Sequence, residues 1–153
     1  MARFAIANLN EGELDGTRIL PPAAYDEMWS PQAESPWAEM FGPPLNAYGL
    51  GWWVGDFNGH PVMGNYGAEV GFQSHLALFP DDDMAVIALV NLYDPDAGAF
   101  YAYDMGNAIS DVLWAERQSD QSARDNSETG GNAGWVDRST QPSRRLNLWI
   151  VRP

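Results

Sequence analysis

The hydrophobic and polar positions predict helices and loops over the first 47 residues. Arg3–Leu9 has the spacing of a helix end, and a second helix is predicted over Ala23–Trp29. Pro21 and Pro22 lie at the start of this second helix, in the first turn, where a helix tolerates proline. Residues 30–47 contain four prolines and are predicted to form an irregular connection.

Residues 48–91 have the pattern of an antiparallel β-meander. Four segments are rich in aromatic, branched or other apolar side chains: Tyr48–Gly55, His60–Asn65, Gln73–Phe79 and Met84–Val90. Asn58-Gly59 is the strongest short hairpin signal, and Pro80–Asp83 predicts a turn between the last two segments. The last segment is a continuous apolar run of strand length, which favours a strand buried on both faces.

A final helix is predicted from Tyr103 to Glu116. Its apolar residues have helical spacing and form a stripe that we expect to pack on the sheet: Met105, Ala108, Ile109, Val112 and Leu113. The predicted fold class is therefore α+β, of the α/β-sandwich type, with an antiparallel β-meander packed against a C-terminal helix. Residues 1–116 form the predicted domain, and the polar residues 117–153 form a flexible or irregular tail.

The composition favours a packed globular protein and excludes several kinds of chemistry. Apolar residues make up 45% and aromatic residues 12% of the 153 residues, and no apolar run is long enough to span a membrane. Cysteine is absent, which excludes disulfides, thiolate catalysis and cysteine zinc sites. All 8 basic residues are arginine, so no lysine is present for a phosphate-binding loop. The N-terminal residues become polar too soon for a secretory signal.

The net charge of -13 is concentrated in the predicted domain. Residues 1–114 carry 16 acidic residues and only two arginines, Arg3 and Arg18 (2 − 16 = −14). Such an acidic body repels phosphate backbones, so no nucleic-acid partner is expected. The acidity is typical of a solvated surface.

The sequence predicts no metal or cofactor site. His60 and His75, the only histidines, lie on different predicted strands, and Asp81–Asp83 lacks the ligand spacing and glycine of a calcium loop. The glycines between 49 and 55 lie within a strand pattern rather than at the start of a helix, which excludes a dinucleotide-binding motif.

Glycines recur through Gly64–Ser74, where they allow another backbone or a ligand to approach a strand closely. This segment follows the Tyr-Gly-Leu-Gly-Trp-Trp of Tyr48–Trp53 and precedes His75–Leu92, which begins His-Leu-Ala-Leu-Phe-Pro-Asp. The ordered motifs resemble the C-terminal part of the serine β-lactamase and penicillin-binding-protein family, in its class C, D-aminopeptidase and esterase branch. Members show Tyr-Gly-x-Gly-Trp, then His-x-Gly or Lys-Thr-Gly, then Gly-Phe-x-Ser. Ala2–Gln32 is similar to the family as well, and the likeness covers residues 1–114.

The resemblance implies a partial β-lactamase/transpeptidase-like domain. In the family, a five-stranded antiparallel sheet with terminal helices packs against a helical half, and the site lies between them. This chain is expected to supply three sheet strands, the C-terminal helix and a small piece of the helical half. The family nucleophile lies in Ser-x-x-Lys and is activated by that lysine and by Tyr-x-Asn. Neither motif occurs in the 153 residues, so we expect a C-terminal fragment with no catalytic residue of its own.

The resemblance also implies a small set of binding residues. Asn65, Tyr66 and Gly67 match the His-x-Gly or Lys-Thr-Gly triplet on the strand that lines the family's cleft. Family members place a cationic or protonatable residue first, whereas Asn65 donates hydrogen bonds but neither carries charge nor moves a proton. Ala68 matches the position whose backbone N–H resembles the second donor of the oxyanion hole. From the residues alone, an ordinary strand end is the alternative interpretation.

Three functions remain open from the sequence. The first is a partial serine hydrolase whose full-length parent forms an acyl-serine on an ester, amide, β-lactam or peptide-like substrate, with this chain inactive alone. The second is a non-catalytic remnant or binding module of the same fold, and the third is an independent all-β ligand-binding domain. Family members are often exported, but the sequence leaves the compartment and the oligomeric state open.

Overall fold

The computed structural model describes residues 1–35, 46–92, 100–129 and 150–151. Three helices lie in these ranges: α1 (Ala2–Leu9), α2 (Pro22–Met28) and α3 (Tyr101–Thr129). Both N-terminal helices lie where the sequence pattern predicts them. The α+β prediction is confirmed, and the all-β alternative is wrong. Residues 36–45 of the predicted connection and residues 130–149 and 152–153 of the predicted tail lie outside the described residues.

The strands form a small hairpin and one larger antiparallel sheet. The hairpin pairs β1 (Glu13–Leu14) with β2 (Thr17–Arg18). The larger sheet follows chain order: β3 (Ala33–Glu34), β4 (Ala47–Tyr48), β5 (Trp53–Phe57), β6 (His60–Glu69), β7 (Phe72–Phe79), β8 (Met84–Val90) and β9 (Ile150–Val151). The predicted meander is therefore confirmed. It has four long strands, β5 to β8, rather than the three that the resemblance implied.

Tight turns connect the four long strands. Asn58 and Gly59 have φ values of 55° and 91°, the left-handed pair that a two-residue type I′ hairpin requires. Between β6 and β7 the turn is Val70-Gly71, where Gly71 has a φ of 93°. A 3₁₀ turn over Pro80–Asp82 leads into β8, as the sequence predicts for this segment. These turns fix the register of the meander.

Strand β6 is four residues longer than the sequence predicts. Its ladder with β7 runs from Met63 opposite Leu78 to Glu69 opposite Phe72. The prediction ended the strand at Asn65 because the glycines that follow suggested a loop. Gly64 lies so close to β7 that an added Cβ would be 2.6 Å from the Leu76 carbonyl oxygen, so its lack of a side chain admits the neighbouring backbone.

The two faces of the sheet are buried by different partners, because successive strand residues point to opposite sides. On the side that packs against helix α1, here the α1 face, one cluster contains Ala5, Trp52, Leu76, Leu78 and Ala85. On the other side, here the α3 face, a second buried set contains Val62, Ala77, Phe79, Val86 and Ala88. Strand β7 therefore supplies buried side chains to both faces.

Helix α3 buries a different set of residues from the predicted stripe. Met105 is 48% exposed and Val112 is 58% exposed, so the predicted packing face is wrong. The buried residues of the helix are instead Ala102, Tyr103, Gly106, Ser110 and Trp114. Three of these five are small residues, which allow close approach of a helix backbone, whereas the predicted stripe followed apolar side chains, most of them large.

Helix α3 also extends thirteen residues beyond Glu116, where the predicted domain ends. By internal contacts the chain divides into two compact units, Met1–Gly106 with Trp149–Pro153 and Asn107–Leu148. The boundary at residue 116 and the nature of the tail remain predictions. In the described part of the chain, no helix has the length and apolar character needed to cross a membrane.

The first residues of α3 lie directly on strand β7. The Gln73 side-chain oxygen accepts a hydrogen bond from the Ala102 backbone N–H at 3.0 Å. The Tyr103 ring packs edge-on to the His75 imidazole, with their centroids 5.6 Å apart. An added Cβ on Gly106 would lie 2.1 Å from His75 Cδ2. The helix backbone therefore rests on the imidazole, and only glycine fits at position 106.

This contact places His75 in an apolar environment. The residue is 5% exposed, and neither ring nitrogen has a hydrogen-bond partner among the described residues. Burial lowers the pKa of His75 from 6.5 to about 4, because the imidazolium loses its hydration there. The ring is therefore neutral at neutral pH and acts as a packing group between sheet and helix.

We expect Gly106→Ala to destabilise the protein by about 2 kcal/mol or more, since the new methyl group overlaps the His75 ring. Helix propensity alone predicts the opposite sign, a gain of about 1 kcal/mol. Met105→Ala, at the exposed neighbouring position, is the control and should change stability by less than about 0.5 kcal/mol. Urea unfolding measures both variants. A stabilised Gly106→Ala protein would contradict the described contact.

The free energy of unfolding should also decrease as the pH is lowered, because His75 is buried in its neutral form. The folded-state pKa lies below the unfolded value, so the unfolded chain binds the extra proton between pH 6.5 and about 4. The stability contributed by the neutral His75 is fully present above pH 6.5. It is lost as the pH falls toward about 4, and the total loss is about 3 kcal/mol. His75→Leu should remove this slope. The free energy of unfolding is measured for both proteins across this pH window. Because both contain the same carboxylates, the difference between wild type and His75→Leu isolates the contribution of His75. Parallel pH profiles of the two proteins would refute that contribution.

Candidate functional site

The candidate site lies on the part of β6 that extends beyond β5. The ladder between these strands begins at the hairpin and ends where Trp53 lies opposite Gly64. Asn65–Glu69 continue the strand in register with β7. The residues that match the family triplet thus lie within a regular strand that continues to Glu69. Whether they line a cleft or are ordinary strand residues stays open.

Asn65 is exposed on the α1 face, at the point where the β5 ladder ends. Its side-chain Nδ2 donates a hydrogen bond of 2.8 Å to the carbonyl oxygen of Gly51. Gly51 lies in the bend that precedes β5 and has a φ of 80°. One amide N–H is used in this contact, which leaves a second N–H and the amide oxygen of Asn65 for a ligand.

Tyr66 points to the opposite side of the sheet. Its ring packs edge-on against Phe100 and Tyr103 on the α3 face, with centroids 5.7 and 6.1 Å apart. It lies directly opposite His75 in the ladder. Strand alternation therefore separates the predicted triplet: Asn65 and Gly67 share the α1 face, whereas Tyr66 anchors β6 to the α3 side.

Gly67 and Ala68 complete the predicted set. Gly67 lies opposite Ser74, and an added Cβ at Gly67 would be 2.8 Å from the Ser74 hydroxyl oxygen. Ala68 is exposed and lies opposite Gln73. The predicted binding role of the triplet and the oxyanion role of the Ala68 N–H remain predictions.

Two exposed apolar residues near Gly67 were not predicted from the sequence. Phe72 on β7 is 59% exposed and Leu89 on β8 is 65% exposed. Leu89 lies opposite Ser74, and Phe72 is two residues from Ser74 along β7, so both side chains lie on the α1 face. The strands that carry these residues were predicted. Which half of a sheet face a helix covers, however, depends on tertiary packing, and the periodicity of a strand does not reveal it.

The charged groups near these strands are acidic. Both arginines of residues 1–114 form ion pairs elsewhere in the chain, Arg3 with Asp15 and Arg18 with Glu13. Glu69 is exposed at the end of β6, on the same face as Asn65. Among the residues that the structure describes, no group of three histidine, aspartate or glutamate side chains could hold a metal ion.

The histidines lie apart from Asn65. His75 is buried on the α3 face, whereas Asn65 is exposed on the α1 face. His60 Nδ1 lies 2.9 Å from Asp82 Oδ2, at the other end of β6. His60 precedes Asn65 by five residues, or about 17 Å along a strand. Neither imidazole is placed to exchange a proton with a ligand at Asn65.

Comparison with known proteins identifies the family. A family model described as Beta-lactamase matches residues 1–108, which include every strand from β1 to β8 and the first residues of α3. Searches of curated proteins and of solved structures returned no match. The match covers 108 of the 153 residues, well over half of the chain. The chain therefore belongs to the beta-lactamase family.

Proposed function

We propose that this chain supplies the substrate-binding strand of a β-lactamase-related serine hydrolase and does not carry out acyl transfer by itself. One observation carries the proposal: Asn65 and Gly67 share an exposed face on the part of β6 that extends beyond β5. The family match supports the class of reaction, which is hydrolysis of an ester, amide or β-lactam through an acyl-serine.

The binding half of the proposal follows from strand chemistry. A strand that extends beyond its neighbour offers backbone N–H and C=O groups to an extended ligand, as an added strand would use them. Asn65 adds an amide donor and acceptor beside that edge. Tyr66, packed against Phe100 and Tyr103, holds the strand in place from the other side.

The inactive half of the proposal follows from proton transfer. A serine hydroxyl becomes nucleophilic only when a neighbouring base takes its proton. Family members use lysine for this step, and the 153 residues contain none. Asn65 cannot accept the proton, and the two histidines lie on the α3 face or at the far end of β6. Chemistry therefore requires groups supplied from outside these 153 residues.

A non-catalytic binding module of the same fold is the second candidate function. The neutral Asn65, where the family pattern has a cationic or protonatable residue, is the observation that favours it. Both candidates share the same ligand-binding face and differ in whether acyl transfer ever takes place on it.

Covalent probes test the inactive half of the proposal. A fluorophosphonate and a labelled penicillin should leave the purified, folded chain unlabelled, because the 153 residues contain no lysine of the kind that activates the family's serine. A serine hydrolase of known activity, labelled in parallel, controls for probe quality. Stoichiometric labelling that is lost on heat denaturation would overturn the claim, and mass spectrometry would identify the serine, with Ser74 the nearest to Gly67.

Ligand mapping tests the binding half. In the ¹⁵N-labelled chain, 4-phenylbutyramide, a small neutral amide, should shift the backbone amides of Asn65–Ala68 most strongly. Asn65→Ala should weaken its binding about ten-fold, the loss of one or two hydrogen bonds. Asn46→Ala, at another exposed asparagine, is the matched control and should bind as the wild type does. Shifts centred on any other part of the chain would refute the assigned strand.

A further inference from the structure

A row of small and apolar residues crosses the α1 face next to Asn65. The row contains Gly67, Ser74 and Leu89, which lie opposite one another on three adjacent strands. Gly67 has no side chain and Ser74 has a short one, so the middle of this row is low. Phe72 is the diagonal neighbour of Leu89 across the strands, within reach of its side chain. We refer to Gly67, Ser74, Phe72 and Leu89 as the trough.

The trough is apolar and open, whereas the centre of its face is covered. Leu76 and Ala85, on the same face, are buried in the cluster that packs with α1. Phe72 and Leu89 are 59% and 65% exposed, although each lies only four residues along its strand from a member of that cluster, Leu76 or Ala85. Two large exposed apolar side chains side by side, next to the packed centre of the face, are typical of a surface that binds an apolar group.

The electrostatics of the trough oppose an anion. Glu69 is exposed directly opposite Phe72, at the edge of the trough. Arg3 and Arg18 are each paired with a carboxylate elsewhere. Residues 1–114 have a formal charge of −14 (2 − 16), so a carboxylate approaching Asn65 meets net repulsion and a neutral partner. Asn65 can hydrogen-bond the carbonyl or N–H of an uncharged ester or amide equally well.

We propose that the trough and Asn65 bind a neutral ester or amide with an apolar acyl group and select against ligands that carry a carboxylate. The apolar group lies over Gly67 and Ser74 between Phe72 and Leu89, and the ester or amide group lies at Asn65. This inference specifies the ligand of the strand assigned under Proposed function and rests on that proposal.

Two ligands of the same shape test the selection by charge. The chain is titrated with 4-phenylbutyramide and with 4-phenylbutyrate, which differ in the carboxylate. At low ionic strength the amide should bind at least ten-fold more tightly, with shifts at Gly67, Ser74 and Leu89. The preference should narrow as the salt rises from about 0.01 M to about 1 M, because screening weakens the repulsion of the anion.

Variants separate the charge effect from the apolar contact. Asn65→Lys should reverse the preference, so that the carboxylate binds more tightly than the amide. Leu89→Ser should weaken binding of the amide at least five-fold. Ile19→Ser, which removes an equally exposed apolar side chain remote in sequence, is the matched control and should leave the affinity unchanged. Circular dichroism checks that each variant is folded.

The outcomes distinguish this inference from the proposal beneath it. Equal affinity for both ligands, with shifts still centred on β6, would overturn the selection by charge and leave the binding strand intact. Tighter binding of the carboxylate by the wild type would overturn it as well. Shifts that avoid β6 for both ligands would instead refute the assigned binding strand.

Discussion

The close approach of helix α3 to strand β7 at Gly106 and His75 is the constraint on which the site depends. Strand β7 is buried on both sides, and the helix backbone lies against the imidazole because position 106 has no side chain. The same first residues of α3 place Tyr103 against Tyr66, which lies opposite His75 on β6. Asn65, in contrast, is exposed on the α1 side of the extended part of β6, where a ligand can reach it.

The neutral environment on both sides of β6 gives the site its chemical character. On the α3 face, burial holds the pKa of His75 far below neutral, so the ring brings no charge. On the α1 face, Asn65 offers hydrogen bonds without charge, and the nearby charged group is Glu69. Such a surface suits recognition of an uncharged polar group with an apolar neighbour.

The sequence predicted the elements with strong local signals and missed features that depend on tertiary contacts. Asn58-Gly59 specifies a turn through the backbone preferences of two residues. The apolar run Met84–Val90 specifies a strand through the burial preferences of its side chains. The predicted end of β6 was wrong, because a glycine that lets a neighbouring strand approach cannot be distinguished by sequence from a glycine in a loop. The buried side of α3 was misassigned because the small residues Ala102, Gly106 and Ser110 are buried there beside Tyr103 and Trp114, and small residues give no signal in an apolar stripe. Family motifs located Asn65, Tyr66 and Gly67, but only the strand's alternation separates Tyr66 from the other two.

Amide hydrogen exchange with and without a neutral ligand shows whether the α1 face of β6 is the binding surface. The account predicts that β7 amides exchange slowest in both states, since that strand is paired on both sides and buried on both faces. On addition of 4-phenylbutyramide, protection should increase at Asn65–Ala68 and in the adjoining part of β7, while the first turns of α3 remain unchanged. Protection gained along α3, with none on β6, would contradict the assignment of the α1 face as the binding surface.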